Sequence, residues 1–550
     1  MVLHSVTSSA ENRPRQALAF IAGFALLDAM VNIRYPAPEP AFWYLLPAVD
    51  VLVIFAYLAM FAWLGWRVPK AVRIALVALL VFVRLLRLGD GIEQQYYAQP
   101  FHLHSDLKLV PELVRFGYSS LGAWKMSGLL LLGLFGCAAL CLACYAALAH
   151  SERYLSERKN VYLVAAVTGI SFCGVMLGKK PVVHAPFYDL GFGASALPRL
   201  KTELKVTLNV VGQNAEHAAA IVRQDELLRR TPSDLGKLGG KSVYLFLVES
   251  YGQTVLERSE FKSAVSPVFD AYERELGARG FGIVSGLLDS TTYGGRSWLA
   301  HASIGTGVRV ESQLAYDVVL AKKPRAMASF FREAGYRTVL VQPATTRPWP
   351  VGEFYGFEQK YYSWDFDYAG PAFAWATMPD QYVLDFVHRR EIATKGNQPL
   401  FVQYVLISSH APWSDLPPIV DDWSRLRNGA LFHELSRTRY PIEWPDFANA
   451  SRAYIDSIVY DLEILKRYIR DFVSDDALII IVGDHQPVAE VNGHSDSHAV
   501  PIHVVSRDRA LLEPFVRRGH TPGMRPRAEP PYAGLESFLV TFLGDFSGPR

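Results

Sequence analysis

Four short stretches end in residues that can do chemistry together. VYLFLVES closes on Glu249, IIIVGDH on Asp484 and His485, LFVQYVLISSH on His410, and FGIVSGLLDSTTYGGRS runs to Arg296 and Ser297 at the expected start of a helix. Two carboxylates and an imidazole suit one divalent cation of borderline hardness, zinc or manganese, because both accept oxygen and nitrogen ligands. A hydroxyl beside such an ion has a lowered pKa and turns nucleophilic, which is the role open to Ser297 and, five and six residues upstream, to Thr292 or Thr291. An Asp-His pair alone favours a capped, solvated turn. The company of Glu249 and Ser297 favours ligation, with Glu249, Ser297, Asp484 and His485 as the ligand set.

Such groups converge only if rigid elements aim them. From residue 241 onward, short apolar runs alternate with helical patterns such as ASRAYIDSIVYDLEILKRYIRDFV, whose apolar residues recur at helical spacing. Apolar strands separated by helices imply a mostly parallel sheet covered on both faces. Ligands bind beyond the carboxyl ends of the strands in such sheets, and there the four stretches stop.

The first third of the chain has another character. The chain has 550 residues, half of them apolar, and a net charge of +2, which points to more than one unit and to no nucleic-acid partner. Five apolar stretches, 17–33, 41–66, 74–88, 126–148 and 161–177, are read as membrane spans, the third short and holding arginines. Arg13, Arg15, Arg67, Lys70, Arg73, Arg153, Arg158 and Lys159 fall in alternate gaps and place the N-terminus in the cytoplasm, against the weaker opposition of Lys108, Arg115, Lys179 and Lys180. Everything after residue 180 then lies outside. All four cysteines fall within spans, so the exported part is held by its core alone. Asp28, Asp50, Arg84 and Arg87 sit in the outer halves of the spans, either as interhelical pairs or as a polar recess for a lipid headgroup. The expected organisation is a five-helix transmembrane domain (1–180), a helical linker (181–240) and an α/β domain (241–550).

VESYG around Glu249, GGRS at Ser297 and GDH at Asp484 and His485 resemble motifs of the alkaline phosphatase and sulfatase superfamily, and within it of the lipoteichoic acid synthase-like membrane phosphoglycerol transferases. The resemblance implies a sulfatase-like extracytoplasmic domain and a multi-pass protein of the cytoplasmic membrane. Arg296 takes the place of the lysine before that family's nucleophile, which is usually threonine rather than serine. His410 in SSHAPW takes the place of a substrate-contacting histidine. The family's Trp-x-Arg clamp is matched only by RPWP, which supplies Arg347 and Trp349 in reverse order. His498, or less well His494, fits the spacing of a substrate histidine in related phosphoethanolamine transferases. The implied reaction moves a headgroup from an anionic phospholipid such as phosphatidylglycerol to a glycan or polymer hydroxyl through a phosphoseryl intermediate. Phosphoethanolamine transfer, hydrolysis by water and a catalytically silent lipid-sensing protein are the alternatives.

Overall fold

The computed structural model describes residues 4–33, 47–97, 100–177, 184–185, 188–189, 196–394, 396–442, 447–473, 477–527 and 529–549. They form two units, 1–95 with 99–210, and 96–98 with 211–550. The expected linker is divided between them: helix Leu197–Leu208 belongs to the first and helix Val210–Arg230 to the second.

In the N-terminal unit, helices His4–Asn32, Val49–Trp63, Lys70–Tyr97, Ala123–Tyr154 and Arg158–Leu177 fall on the five apolar stretches, the second helix covering only 49–63 of 41–66; residues 41–46 lie outside the described residues along with Lys179 and Lys180. Among the described residues, two segments are long and apolar enough to cross a membrane, Pro14–Asn32 with mean hydropathy 1.3 and Ala123–Tyr154 with 2.3. Val49–Trp63 is apolar but only 15 residues long. The helices pack through Leu27, Val51, Phe55, Leu80 and Leu148, all under 5% exposed.

The charges in these helices chiefly satisfy backbone and amide groups. Asp28 accepts from the Ala48 N–H (2.7 Å) and from Asn32 Nδ2 (2.8 Å), Asp50 accepts from the Ala196 N–H (2.6 Å), and Arg84 donates to the Ile33 carbonyl. Buried Arg199 on Leu197–Leu208 reaches Asp90 (2.9 Å) and Glu203 (3.0 Å), which fastens that helix to the end of Lys70–Tyr97. A buried arginine is tolerable only when paired in this way.

The C-terminal unit is built on a nine-stranded sheet. Its strands are β1 (Val243–Val248), β2 (Gly282–Asp289), β3 (Arg337–Gln342), β4 (Gln359–Tyr362), β5 (Leu400–Leu406), β6 (Leu478–Gly483), β7 (Ala499–Ser506) and the two-residue β8 (Thr521–Pro522) and β9 (Ala533–Gly534). The order is β8-β2-β7-β6-β1-β5-β3-β4, with β9 also on β2. Strands β6, β1, β5, β3 and β4 run parallel, while β7 is antiparallel to both its neighbours. Every residue of β1, β5 and β6 is buried, which explains their unbroken apolar runs. One face packs on helices α1 (Ser259–Ala271), α5 (Asp380–Val387) and α6 (Ser451–Phe472). The other packs on α2 (Ser297–Thr306), α4 (Met327–Glu333) and α7 (Ser537–Phe546), with α3 (Gln313–Lys322) on the far side of α2.

Candidate active site

Adjacent parallel strands β1 and β6 end together, with Gly483 in register with Val248, so the residues that follow are neighbours. Glu249 follows β1; Asp484 and His485 follow β6. All three are buried and offer ligand atoms within 4.8 Å of one another.

The helix carrying Ser297 is brought over by a loop that runs against residues 484–486. Ser290 Oγ donates to the Asp484 carbonyl, the Gly294 N–H to the Gln486 carbonyl (2.9 Å), and Tyr293 bridges to Gln486. Gly294 and Gly295 take positive φ, 68° and 146°, as does Arg296 at 59°. A left-handed arginine is costly, and here it sets the first helical residue into the site. Ser297 Oγ lies 2.9 and 3.1 Å from the Glu249 oxygens and 3.1 Å from His485 Nε2.

Backbone groups orient the remaining ligands. Asp484 Oδ1 accepts from the N–H groups of Ser250 (2.8 Å) and His485 (2.7 Å), and its buried Oδ2 has no hydrogen-bond partner. His485 Nδ1 lies 2.7 Å from the Gln486 carbonyl, an acceptor, so Nδ1 carries a proton in either state, and loss of the other proton turns the Nε2 lone pair toward Glu249 and Ser297. Burial opposes ionisation of Glu249, but the nearby His410 and His485 outweigh it and hold the carboxyl below its ordinary value. Burial likewise disfavours the His485 cation, yet Asp484 and Glu249 push it up to about 9. An orphaned carboxylate oxygen, a second carboxylate and an aimed imidazole lone pair fit a divalent cation, and the mixed oxygen and nitrogen donors suit zinc or manganese.

The other expected site residues are distributed as follows. Thr291 Oγ1 is 3.0 Å from Ser303 Oγ and Thr292 Oγ1 donates to the Gly295 carbonyl (2.6 Å), both structural uses, which leaves Ser297 as the hydroxyl at the ligand cluster. Arg296, next to it, is buried. His410 stacks on Trp375 with ring centres 3.8 Å apart and acts electrostatically on Glu249. Arg347 is exposed, while Trp349 lines a recess beside α2. His498 packs near Tyr293 (5.6 Å) and is held below its ordinary pKa by burial, with Asp289, Arg309 and Glu311 around it. His494 is exposed.

Sequence reasoning missed His301. It lies four residues after Ser297, on the same face of α2, and its Nε2 stands 3.4 Å from Asp484 Oδ2.

Residues 299–505 match the sulfatase family model. Among solved structures, the chain is similar to the lipoteichoic acid synthase LtaP of Listeria monocytogenes (15% identity over 57% of this chain and 74% of that one, TM-score 0.37). It is similar also to the Streptococcus pyogenes phosphoglycerol transferase GacH in complex with sn-glycerol-1-phosphate (14%, 60% and 91%, 0.35) and to the zinc complex of the C-terminal periplasmic domain of Escherichia coli EcEptC (12%, 51% and 74%, 0.33). No curated relative matches the chain at a significant level. The match over 299–505, on strands that converge on Glu249, Asp484 and His485, makes the C-terminal unit a sulfatase-like α/β domain.

Proposed function

We propose that the protein is a membrane-embedded, metal-dependent phosphotransferase that moves a phosphoglycerol-type headgroup from an anionic phospholipid to a glycan or polymer hydroxyl. The observation that carries this reading is the placement of Ser297 Oγ, at the N-terminus of α2, within 3.1 Å of both Glu249 and His485. A divalent cation held by Glu249, Asp484, His485 and Ser297 would supply Lewis acidity, which lowers the pKa of a neighbouring hydroxyl and neutralises phosphoryl charge.

The chain's own residues supply the rest. Ser297 Oγ loses its proton and attacks phosphorus; the bond from phosphorus to the diacylglycerol oxygen breaks, and that oxygen leaves with a proton. The N–H groups of Ser297 and Trp298 at the start of α2, with the positive charge of Arg296, are the groups this reading assigns to the phosphoryl oxygens. His410 is the headgroup contact, with Arg347, Trp349 and His498 on the approaches. In the second half, an acceptor hydroxyl attacks the phosphoserine and Ser297 Oγ is regenerated. The apolar helices of the N-terminal unit anchor the chain in the cytoplasmic membrane as a multi-pass protein, with the N-terminus inside and the sulfatase-like domain outside.

Protein quenched during turnover with labelled phosphatidylglycerol and digested for mass spectrometry tests this. A phosphoglycerol adduct on the Ser297 peptide is expected, and the mass would show phosphoethanolamine instead if that is the headgroup carried. Turnover with no labelled hydroxyl would overturn the two-step route.

A further inference from the structure

Helix Leu197–Leu208 is amphipathic in the reverse of the usual sense. Its charged residues Arg199 and Glu203, one turn apart, are 7% and 3% exposed. Arg199 pairs with Asp90 (2.9 Å), and Glu203 accepts from the Leu103 N–H (2.8 Å). On the other side Leu197, Leu204 and Leu208 are 65%, 59% and 74% exposed. Spaced i, i+7 and i+11, they form one stripe along the helix. Lys201 and Lys205, both exposed, border the stripe on one flank. The paired polar side locks the helix in this sense, so its leucines need cover from outside the unit.

What covers them follows from where the helix is pinned. Asp50, in the first turn of Val49–Trp63, accepts from the Ala196 N–H (2.6 Å), and Asp90 lies near the end of Lys70–Tyr97. Under the orientation read from the basic residues, both of those helix ends lie on the outer side of the membrane. The helix therefore begins at the outer edge of the apolar surface that the spans present, on which Leu134 and Phe135 are 67% and 69% exposed. Its exposed charges are both positive, so a second copy of this face offers no counter-charge, whereas phospholipid phosphates do. Lysines beside an apolar stripe lay their stems along it and reach the ammonium groups out to such phosphates. The loop between the third and fourth spans repeats the composition. There Leu107, Val110 and Leu113 are 52%, 41% and 52% exposed beside Lys108 and Arg115, the basic residues that oppose the positive-inside pattern.

We propose that helix Leu197–Leu208 lies in the outer surface of the bilayer, its leucine stripe against the acyl chains and Lys201 and Lys205 on the phosphates of anionic phospholipids. This rests on the membrane-embedded part of the reading above and not on headgroup transfer.

The test uses the full chain in nanodiscs of equimolar phosphatidylcholine and phosphatidylglycerol. The photo-crosslinker p-benzoylphenylalanine replaces Leu204 or, as a reference within a span, Leu134, and mass spectrometry of the irradiated protein identifies what each probe touched. Phospholipid adducts are expected at both positions, with phosphatidylglycerol enriched at Leu204 over Leu134 by at least about fivefold, the effect of about one lysine at an anionic surface. Lys201→Gln together with Lys205→Gln should abolish the enrichment and keep the lipid adduct, with an unchanged melting temperature. Adducts at Leu204 on peptides of this chain or of a second copy, or no adduct there while Leu134 labels lipid, would overturn the proposal and leave the membrane reading standing. Enrichment that is absent with both lysines in place, or that survives their replacement, would overturn it as well. No lipid at either position would overturn the membrane reading together with it.

Discussion

Gly483 and Tyr251 pass so closely that a Cβ on Gly483 would stand 1.8 Å from the Tyr251 carbonyl oxygen. The contact joins the loop after β1, which holds Glu249, to the strand end that holds Asp484 and His485. Tyr251 is fixed in turn: its hydroxyl meets His503 Nε2 (2.8 Å), and His503 Nδ1 meets Ser285 Oγ (2.7 Å), which donates to the Gly523 carbonyl (2.6 Å). No flexible side chain can yield at this point. Gly483→Ala is therefore expected to push the two ligand loops apart and to remove tight binding of zinc or manganese, with a stability loss above about 4 kcal/mol if the fold survives. Calorimetric titration of the variant with either ion is the check; wild-type affinity would show that the loops move independently.

Ser297→Ala should abolish headgroup transfer and labelling while an ion still binds, because two carboxylates and an imidazole remain. Thr292→Val should leave the labelled residue unchanged, since Thr292 Oγ1 bonds only the Gly295 carbonyl. Peptide mapping of quenched protein decides both, and label on the Thr291 or Thr292 position would reassign the nucleophile.

The clustering of Glu249, Asp484 and His485 was legible because each follows an apolar run, and a strand end is where a parallel sheet presents chemistry. His301 was not, since its relation to Ser297 depends on the phase of a helix that only the structure fixes. The antiparallel direction of β7 was equally hidden: AVPIHVVS has the same apolar run as its parallel neighbours. Gln403 and His503 were visible as polar residues inside apolar strands, but the sequence could not tell them apart. His503 is satisfied by Tyr251 and Ser285, whereas Gln403 lines a small recess beside Trp349. Asp50 drew attention as a charge at membrane depth, and its bond to the Ala196 N–H depends on a helix far along the chain.

Metal binding should compete with protonation of His485. Without an ion its pKa is raised from the usual 6.5 to about 9, chiefly because Asp484 and Glu249 outweigh burial. The stabilising contribution of that cation is complete below pH 6.5 and is lost as pH rises through about 9. An ion needs the neutral imidazole, so its affinity should rise by about tenfold per pH unit between 6.5 and 9 and then level off. Titrations at stepped pH with buffers of differing ionisation enthalpy would measure the proton released. An affinity that is flat across this window would remove His485 from the ligand set.

Behind the His410 turn lies a pair of fully buried carboxyls, Asp380 on α5 and Asp461 on α6. Asp380 Oδ2 accepts from the N–H groups of Ile407 (2.8 Å) and Ser408 (2.6 Å), so it shapes the turn that presents His410, while its Oδ1 has no hydrogen-bond partner. Burial pushes the Asp380 carboxyl up to about 6, and burial together with Asp380 pushes Asp461 well above its ordinary value. A carboxyl whose folded pKa is raised binds its proton more tightly in the native state, so the native state loses stability as pH climbs from about 4 through 6. Asp461→Asn keeps the shape, removes one of the two charges, and offers an amide N–H to Asp380 Oδ1. The variant should melt about 2–4 °C above wild type at pH 8, equivalent to about 1 kcal/mol in a domain of this class, and match it near pH 4. Melting curves of both proteins across that range decide the matter. A variant that melts lower at pH 8 would mean that Asp461 is needed as a charge, and the pair would then have to be read as ligands of a cation rather than as holders of a shared proton.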